Sequence, residues 1–374
     1  MKITLSVDAL SPSLTGIGRY TWELTRRLPS TAGIGEVRYY RNGRWIADPA
    51  TLLTDSVPRR RSRLVLPKPA WVRRWALRRA CRGLLFHGTN YFLPDCTDIG
   101  VITVHDLSVF KFPETHPVER IRQFEANFNR SVRKAAHVIT DSEATRGEVI
   151  DFLACSPSFV TAVPLGVESR FAPQTQRELD PLLRSFGLAY RRYSLCVSTL
   201  EPRKRIGHLI EAYRQLPEAL RRSVPLVLVG GGGWCNDGLK LEIQRGQSEG
   251  WLLSLGFLPD TQLPGLYAGA SLFVYPSLYE GFGLPVLEAM ASGVPVVTSD
   301  RTSLPEVTGG AAALIDPDDV MGLKEAIHRG LEDEAWRHHA STVGLATARH
   351  FDWNRCAENT VVVYRKVLSG SNAV

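Results

Sequence analysis

The stretch from Phe273 to Asp300 constrains the fold most, because it reads as a complete strand–loop–helix–strand unit. Phe273-Val274-Tyr275 is a short apolar run of the kind found in a buried strand. The loop Gly281-Phe282-Gly283 follows it, and Pro285 suits the first turn of a helix. Val294 to Val297 predicts a second strand. The N–H groups at the start of such a helix, together with its dipole, form a ready site for an anion.

Two acidic residues frame this predicted anion site. Glu280 precedes the glycines, and Glu288 is placed in the first turn of the predicted helix. A carboxylate has the wrong sign for binding phosphate, so the pair is better suited to accept hydrogen bonds from hydroxyl groups. A structural role is the alternative, since an acid near a helix start contributes about 0.3–1 kcal/mol without any ligand.

The composition describes a chain with two domains and an uneven charge. A length of 374 residues favours two domains of roughly 100–200 residues each. We expect no membrane span and no signal peptide, and the scattered cysteines favour free thiols in a reducing cytosol. Residues 1–185 hold 27 Lys+Arg and 18 Asp+Glu, a net charge of +9, and the remainder holds 18 and 20, a net of −2. The basic surplus therefore belongs to the first half.

The N-terminal strand is followed by a glycine-bearing loop. Residues 11–19 predict this loop, with Gly16 and Gly18 inside it, and residues 20–28 predict a helix. The order of strand, glycine loop and helix is typical of nucleotide-binding domains. Thr21 stands where the third glycine of the dinucleotide fingerprint would be, so a nicotinamide or flavin cofactor is disfavoured.

The segment from Arg59 to Arg82 is the most basic of the chain, with ten basic residues and no acid. Trp71 and Trp75 interleave with arginines at roughly helical spacing. Tryptophan beside basic residues suits an anionic membrane surface, at about 1 kcal/mol per basic residue. A solvated helix with its tryptophans in the core is the structural alternative, and a nucleic-acid surface is less favoured.

A polar pair, His105-Asp106, directly follows the predicted strand Val101 to Val104. Loops after buried strands are where open α/β sheets place their sites. His105 could donate, accept or stabilise charge near neutral pH. The alternative is a structural histidine, which is the commoner role for a lone one.

The second half begins with a new strand and alternates strands with helices, which predicts a parallel doubly wound sheet. Residues 168–183 have the composition of a linker. The run Glu201-Pro202-Arg203-Lys204-Arg205 places three cations between a strand and a helix, which fits a phosphate site. The glycines at 230–233 permit a close backbone approach. A last amphipathic helix is predicted over residues 353–368.

These motifs together resemble the retaining glycosyltransferases of the large GT4 class. Glu280 and Glu288, with seven residues between them, match the E-x7-E motif of that class, and so do their surroundings. Further segments are similar to other family motifs, namely Glu201-Pro202-Arg203-Lys204, Thr15-Gly16-Ile17-Gly18-Arg19, His105-Asp106, Asp352-Trp353 and Tyr364. The resemblance covers nearly the whole chain.

The resemblance implies an α/β fold of the GT-B type, with two Rossmann-like doubly wound parallel-sheet domains facing across a cleft. Residues 1–172 would form the acceptor-side domain, and residues 353–374 would cross back to it as a C-terminal helix. Residues 173–352 would form the domain that binds the nucleotide sugar.

The resemblance also implies a role for each matched residue. Glu288 would bind the ribose hydroxyls, and Glu280 would hold the hydroxyls of the donor hexose. Arg203 and Lys204 would neutralise the diphosphate leaving group. Together with Glu280 and His105 they would be the catalytic residues. The backbone amides that would meet the hexose and the diphosphate are those of Phe282, Gly283 and Leu284. Gly16 and Gly18 would approach the phosphates from the first domain, and His105 would contact the hexose near the reacting centre.

The chain departs from the family pattern at one position. Many members carry an arginine six residues before the motif lysine, where this sequence has Ser198. Arg203 is expected to supply the missing charge. The resemblance implies a metal-independent enzyme without a cofactor. It would retain the anomeric configuration, with the leaving phosphate as base.

The same resemblance indicates the substrates and the location. The Thr-Leu-Glu-Pro-Arg-Lys form at residues 199–204 and the Val-His-Asp-Leu form at residues 104–107 resemble those of bacterial enzymes that build mannose or rhamnose polysaccharides from GDP-sugars. We therefore expect GDP-mannose or GDP-rhamnose as donor and a polyprenyl-diphosphate-linked, O-antigen-type glycan as acceptor. We expect a cytoplasmic protein bound peripherally to the anionic inner leaflet, with other glycosyltransferases of the pathway as further partners and no nucleic acid. The alternatives are a UDP- or ADP-sugar transferase and a non-catalytic glycan- or lipid-binding scaffold.

Overall fold

The computed structural model describes residues 1–54, 79, 81–113, 118–232 and 237–370. These residues form two compact units. Unit 1 consists of Met1–Gly166 and Trp353–Val374, and unit 2 of Val167–Asp352. The boundary after residue 172 given by the sequence lies within unit 2. Most of the basic segment 59–82 lies outside the described residues.

Unit 1 is built on a seven-stranded sheet. Its strands are β1 (Lys2–Ser6), β2 (Glu36–Arg41), β3 (Arg44–Ile46), β4 (Leu85–Gly88), β5 (Ile99–Val104), β6 (Ala135–Thr140) and β7 (Val160–Ala162). The helices are α1 (Gly16–Arg27), α2 (Ser108–Lys111), α3 (Val118–Lys134), α4 (Glu143–Leu153) and, after unit 2, the C-terminal helix Trp353–Gly370. Short 3₁₀ turns cover Leu28–Ser30, Pro49–Leu53 and Pro157–Phe159.

The strands of unit 1 lie in the order β3-β2-β1-β4-β5-β6-β7. All neighbours are parallel except β2 and β3, which form an antiparallel hairpin at the edge. The central strands are apolar on both faces because helices cover both faces of such a sheet. Ile3, Leu5, Ile102 and Val104 are accordingly inaccessible to solvent.

Unit 2 has a six-stranded, wholly parallel sheet. Its strands are β8 (Ser194–Val197), β9 (Leu226–Val229), β10 (Leu252–Gly256), β11 (Leu272–Tyr275), β12 (Val296–Ser299) and β13 (Ala313–Ile315). The helices are α5 (Gln176–Ser185), α6 (Ile206–Arg214), α7 (Glu218–Ser223), α8 (Asp237–Ser248), α9 (Leu263–Gly269), α10 (Leu284–Ala291), α11 (Leu304–Thr308), α12 (Val320–Glu332) and α13 (Glu334–Ala348). The C-terminal helix of unit 1 is numbered α14, and Pro202–Lys204 forms a 3₁₀ turn.

The strand order of unit 2, β10-β9-β8-β11-β12-β13, creates a switch point between β8 and β11. Chain connections run to opposite sides of the sheet from these two neighbouring strands, so the loops at their carboxyl ends diverge and leave a crevice. In unit 1 the corresponding switch point lies between β1 and β4. The topology alone therefore places the loops after β8 and β11 at one site.

Helix α14 belongs to the core of unit 1. The Tyr364 hydroxyl lies 2.6 Å from Nδ1 of His87 on β4, and the other ring nitrogen, Nε2, lies 2.8 Å from Oγ1 of Thr103 on β5. Near the start of the helix, Arg27 Nε donates to Asn354 Oδ1 at 2.9 Å. The helix is thus bonded directly to β4 and α1, and His87 links it to β5.

Two predictions about local structure were wrong. Helix α1 begins at Gly16, because Thr15 caps it by accepting from the Gly18 amide at 3.4 Å, so both glycines lie in the first turn rather than in a loop. Within the predicted linker, the Thr175/Glu178 capping box starts helix α5.

No helix in the described parts of the chain has the length and apolar character needed to cross a bilayer.

Candidate functional site

The candidate site of unit 2 lies at the carboxyl ends of β8 and β11. The loop after β8 carries Glu201, Arg203 and Lys204, and the loop after β11 carries Glu280. The main chains of the two loops are joined, because the amide of Leu278 donates to the carbonyl of Arg203 at 2.8 Å. The structure therefore brings together residues that are distant in sequence and that the motifs had assigned to one donor site.

The loop before helix α10 is held in a conformation that only glycine tolerates well. Gly283 caps the helix with φ of 105°, and a Cβ on it would lie 2.6 Å from Leu304 Cδ2. Ser303 Oγ fixes the same loop by donating to the carbonyls of Phe282 at 2.8 Å and Glu280 at 3.0 Å. The loop carbonyls are thus turned toward Ser303.

The amides at the start of α10 are available to a ligand. Within the described part of the chain, the N–H groups of Phe282, Gly283 and Leu284 donate no hydrogen bond. Successive amides at a helix start, with the positive end of the helix dipole behind them, attract an anion. The first turn of α10 contains no acid that would oppose this charge.

Lys204, Tyr275 and Glu280 form a closed triangle of hydrogen bonds. The Lys204 ammonium group contacts Glu280 Oε1 and donates to Tyr275 Oη at 2.9 Å. Tyr275 Oη in turn donates to the same Glu280 oxygen at 2.8 Å. The side chains of Lys204 and Glu280 are only 7% and 11% exposed. The acid and the cation that were assigned to different parts of a donor are thus paired with each other.

Burial and mutual charge decide the protonation of this triangle. Burial would raise the pKa of Glu280, but the charges of Lys204 and Arg203 outweigh it and the pKa is lowered. Burial lowers the pKa of Lys204, and the charge of Glu280 only partly offsets this. Burial and the charge of Glu280 raise the pKa of Tyr275 well above its usual value. Glu280 is therefore a carboxylate and Tyr275 a neutral hydroxyl near neutral pH.

Arg203 holds the two loops together. Its Nε lies 3.0 Å from Glu201 Oε2, and its Nη1 donates to the carbonyl of Tyr279 at 2.9 Å. Glu280 Oε1 is 3.8 Å from the same Nη1. The side chain is 17% exposed, against 7% for Lys204. Arg203 consequently fixes the loop before Glu280, while its positive charge remains at the edge of the site.

Glu288 lies one turn deeper than the sequence suggested. Helix α10 begins at Leu284, so its first turn contains no acid, and the prediction of a first-turn position was wrong. Stabilisation of the helix start is therefore a poor explanation for this acid. Glu288 is 8% exposed. The pKa of the Tyr267 hydroxyl is raised well above its usual value by its burial and by the negative charge of Glu288. The two groups are therefore close.

In unit 1 the start of helix α1 presents backbone N–H groups and no acid. Gly16 is the first residue of the helix and is exposed. Gly18 is buried, and a Cβ there would lie 3.0 Å from the carbonyl oxygen of Ala9 and 3.2 Å from Leu14 Cδ2. Gly16 can therefore face a ligand, whereas Gly18 permits the close approach of the preceding loop.

Both ring nitrogens of His105 are engaged within unit 1. Nδ1 lies 2.7 Å from Asp141 Oδ2, and Nε2 lies 2.8 Å from the carbonyl oxygen of Thr89. Since both partners are acceptors, both nitrogens carry protons. Burial alone would lower the pKa of His105, but the charge and hydrogen bond of Asp141 raise it. The raised pKa of His105 favours an imidazolium that donates to Asp141, although burial raises the pKa of Asp141 as well.

Two members of these clusters were missed by sequence reasoning. Tyr275 was assigned only to a buried strand, and Asp141 only to a loop after β6. Tyr275 ends β11, which pairs with β8, the strand that precedes Lys204. Asp141 follows β6, which pairs with β5, the strand that precedes His105. That position was the available signal, but it requires the strand order.

Ser198, which replaces the family arginine, donates its amide to the carbonyl of Val229 at 2.9 Å.

The architecture of the chain is that of a known class of enzymes. The crystal structure of Anabaena HepE in complex with UDP and glucose has a TM-score of 0.71 to this chain at 18% sequence identity, and the match covers 98% of this chain and 99% of that one. Two parallel-sheet α/β domains of this kind define the GT-B fold of glycosyltransferases. The predicted fold class is thereby confirmed.

Sequence similarity identifies the family. The chain is 38% identical over 384 residues to O-antigen chain mannosyltransferase B of Escherichia coli, covering 98% of this chain and all of the relative. It is 32% identical over 254 residues to the serotype-specific mannosyltransferase WbdA of Escherichia coli, over 67% of this chain and 31% of that protein. The family described as Glycosyl transferases group 1 matches residues 188–344.

The chain therefore belongs to the group 1 glycosyltransferases, as its motifs predicted. It is an enzyme that takes a sugar from a nucleotide-sugar donor to a glycan acceptor. In the described residues, no group of three or more His, Cys, Asp or Glu side chains is arranged to hold a metal ion.

Proposed function

We propose that this enzyme transfers mannose from GDP-mannose to a lipid-linked glycan during the synthesis of an O-antigen-type polysaccharide, with retention of the anomeric configuration. The observation that carries the proposal is the identity of 38% to an O-antigen chain mannosyltransferase, which extends over 98% of this chain and all of that relative. GDP-rhamnose is the second donor that the motifs suggested, and mannose is preferred because both E. coli relatives are mannosyltransferases.

Unit 2 supplies the groups for the donor. The free amides of Phe282, Gly283 and Leu284 and the ammonium group of Lys204 would bind the diphosphate, which needs several donors and positive charge. Arg203 would add its charge from the edge of the site. Glu280, whose pKa is lowered, accepts hydrogen bonds as a carboxylate and suits the hydroxyls of the hexose, and the carboxyl oxygens of Glu288 suit the hydroxyls of the ribose.

In the proposed reaction, the bond between the anomeric carbon and the diphosphate oxygen breaks, and the nucleoside diphosphate leaves with the electron pair. The acceptor hydroxyl forms the new bond on the same face, and its proton passes to the leaving phosphate oxygen. Lys204, Arg203 and the α10 amides stabilise the negative charge that develops on the diphosphate. Such electrostatic stabilisation is usually the largest single contribution to catalysis. No side chain acts as a nucleophile.

His105 enters this reaction as a cation rather than as a base. With Nδ1 on Asp141 and Nε2 on Thr89, a contact with the hexose through either nitrogen would require one of these bonds to break. The imidazolium can act through its charge without such a change. Gly16, exposed at the start of α1, suits a second contact with the phosphates.

The proposed acceptor is attached to a polyprenyl diphosphate, and the enzyme would act in the cytoplasm at the inner leaflet of the membrane. The basic residues of the 59–82 segment support this because they favour an anionic surface. Flotation with anionic liposomes tests it. We expect the parent to float with the liposomes and a variant with Arg73, Arg74, Arg78 and Arg79 changed to Glu to remain at the bottom. Equal flotation of both proteins would exclude the role of this segment.

The decisive experiment is a transfer assay with a panel of nucleotide sugars, including GDP-mannose, GDP-rhamnose, UDP-glucose and ADP-glucose. A polyprenyl-diphosphate-linked glycan serves as acceptor, and Glu280→Ala is the inactive control. We expect GDP-mannose to be consumed, with an α-linked product from an α-linked donor. Thermal shift with the free nucleotides adds an independent readout, since a bound nucleotide stabilises the fold by RT ln(1 + [L]/Kd). Stabilisation by UDP or ADP but not by GDP would refute the proposed donor.

A further inference from the structure

The proposed function requires Lys204 and Glu280 to bind different parts of the donor, yet in the structure they bind each other. Lys204 would need its ammonium group for the diphosphate, and Glu280 would need its carboxylate for the hexose. Both side chains are largely buried, at 7% and 11% exposure. A buried charge that loses its partner without a replacement is strongly unfavourable. The pair can therefore open only if each member keeps another partner.

Lys204 has a new partner when it leaves the pair, namely the diphosphate itself. Glu280 has no such replacement until a hexose hydroxyl reaches it. Arg203 Nη1 lies 3.8 Å from Glu280 Oε1, which is longer than a hydrogen bond, and the same nitrogen donates to the carbonyl of Tyr279 at 2.9 Å. Tyr275 already donates to Glu280 Oε1 at 2.8 Å, and this bond does not depend on Lys204.

Tyr275 is also fixed in place. Its ring is fully buried and stacks with that of Phe273 at a centroid distance of 6.0 Å and an interplanar angle of 17°. Its carbonyl accepts from Thr298 Oγ1 at 2.7 Å. Lys204 Nζ lies 5.3 Å from the centre of the Tyr275 ring. The hydroxyl is thus held beside both members of the pair by a strand of the central sheet, while the Lys204 ammonium group is on a flexible side chain.

We propose that Glu280 competes with the donor diphosphate for Lys204, and that Tyr275 is the positioning residue that keeps Glu280 hydrogen-bonded when the diphosphate takes Lys204 away. This inference rests on the proposed function only in assigning a diphosphate to Lys204. It holds for any nucleotide and any hexose.

Two consequences can be measured by titration calorimetry with inorganic pyrophosphate, GDP and UDP. First, Glu280→Gln removes the competitor of Lys204, so it tightens the binding of these hexose-free ligands by about tenfold, which corresponds to the loss of one hydrogen bond to a charged group. Second, Tyr275→Phe weakens their binding by about tenfold, because the buried Glu280 carboxylate loses the hydrogen bond that the Tyr275 hydroxyl donates at 2.8 Å.

The double variant Tyr275→Phe/Glu280→Gln distinguishes positioning from general damage. With no carboxylate to support, the loss of the tyrosine hydroxyl should change the affinity less than about twofold, so the two substitutions are strongly non-additive. Tyr213→Phe is the matched control. Tyr213 is also fully buried in unit 2, and its hydroxyl donates to Ser194 Oγ at 3.0 Å and to the Val224 carbonyl. We expect it to lower the melting temperature without changing ligand affinity.

Several outcomes would overturn the inference. Weaker binding by Glu280→Gln would show that no competition exists, and this result does not depend on whether Tyr275→Phe folds. An equal loss from Tyr275→Phe in the parent and in the Glu280→Gln protein would reduce Tyr275 to a structural role. Failure of the parent to bind any of the three ligands would remove the assigned diphosphate.

If UDP binds in place of GDP and shows the same coupling, the proposed donor is wrong and the inference about Tyr275 stands.

Discussion

The buried histidine of β4 makes the stability of unit 1 depend on pH in a way that can be calculated. His87 contacts the Tyr364 hydroxyl at 2.6 Å and Thr103 Oγ1 at 2.8 Å. Burial, with a smaller contribution from the charge of His105, lowers the pKa of His87 to about 3. In the unfolded chain this pKa is about 6.5. The unfolded state therefore binds the proton first as the pH falls.

The sign and the magnitude follow from linkage. Because the folded-state pKa is lowered, the contribution of His87 to stability is complete above pH ~6.5 and is lost progressively down to pH ~3. Between pH 7 and pH 5 the loss for this one group is about 2 kcal/mol, a substantial fraction of the ~5–15 kcal/mol that stabilises an ordinary domain. His137, whose pKa burial lowers to about 4, adds a loss of the same sign, whereas the raised pKa of His105 acts in the opposite direction.

The assay is urea unfolding at pH 7, 6 and 5, followed by circular dichroism, for the parent and for His87→Gln. The substitution lowers stability at every pH because it breaks the contacts with Tyr364 and Thr103. Its pH dependence should nevertheless be weaker than that of the parent by about 2 kcal/mol between pH 7 and pH 5. His137→Gln, in the same unit, should weaken the pH dependence in the same direction, because the pKa of that histidine is also lowered, to about 4. If His87→Gln and the parent lose the same free energy over this range, His87 is not the group that resists protonation.

Three further predictions concern the candidate sites. Gly283→Ala should destabilise the protein by at least about 1–2 kcal/mol in urea unfolding, since its φ of 105° and a Cβ 2.6 Å from Leu304 are both unfavourable; unchanged stability would contradict this. Arg203→Lys keeps the charge but loses the planar donor geometry that joins the two loops, so the KM for the donor should rise by roughly tenfold in steady-state assays; an unchanged KM would show that charge alone suffices. Asp141→Asn should lower the pKa of His105, measured by NMR titration of its ring protons; an unchanged value would refute the imidazolium–carboxylate pair.

The sequence predicted local elements well where apolar periodicity and helix signals agreed. The strand–loop–helix–strand unit that begins at Phe273 was confirmed as β11, α10 and β12, because a buried strand, a proline in the first helical turn and a glycine after the last turn are all local signals. The β2–β3 hairpin was missed. Strand β3 has only three residues, too few to show alternation, and it is held mainly by its pairing with β2.

The linker prediction failed because proline was given too much weight. Pro173 and Pro181 suggested an irregular segment, yet Pro181 lies inside helix α5. The helix tolerates it because Leu179 and Leu183 bury their side chains, and tertiary packing of an apolar face outweighs one lost hydrogen bond. Thr175 and Glu178 formed a recognisable capping box, which was the local signal for this helix.

The relation between Lys204 and Glu280 could not be predicted from motifs, because motifs assign residues to ligand groups and contain no strand order. Only the adjacency of β8 and β11 brings the cation of one loop to the acid of the other. The formal charges of Glu201, Arg203, Lys204 and Glu280 sum to zero. The negative charge of the acids at this anion site is therefore neutralised by cations of the protein itself. Under the proposed function, a diphosphate would add negative charge to this neutral group and would take a cation from a carboxylate. On that proposal, the affinity for the donor depends on how well the carboxylate is hydrogen-bonded afterwards, and the Tyr275 hydroxyl donates to it at 2.8 Å.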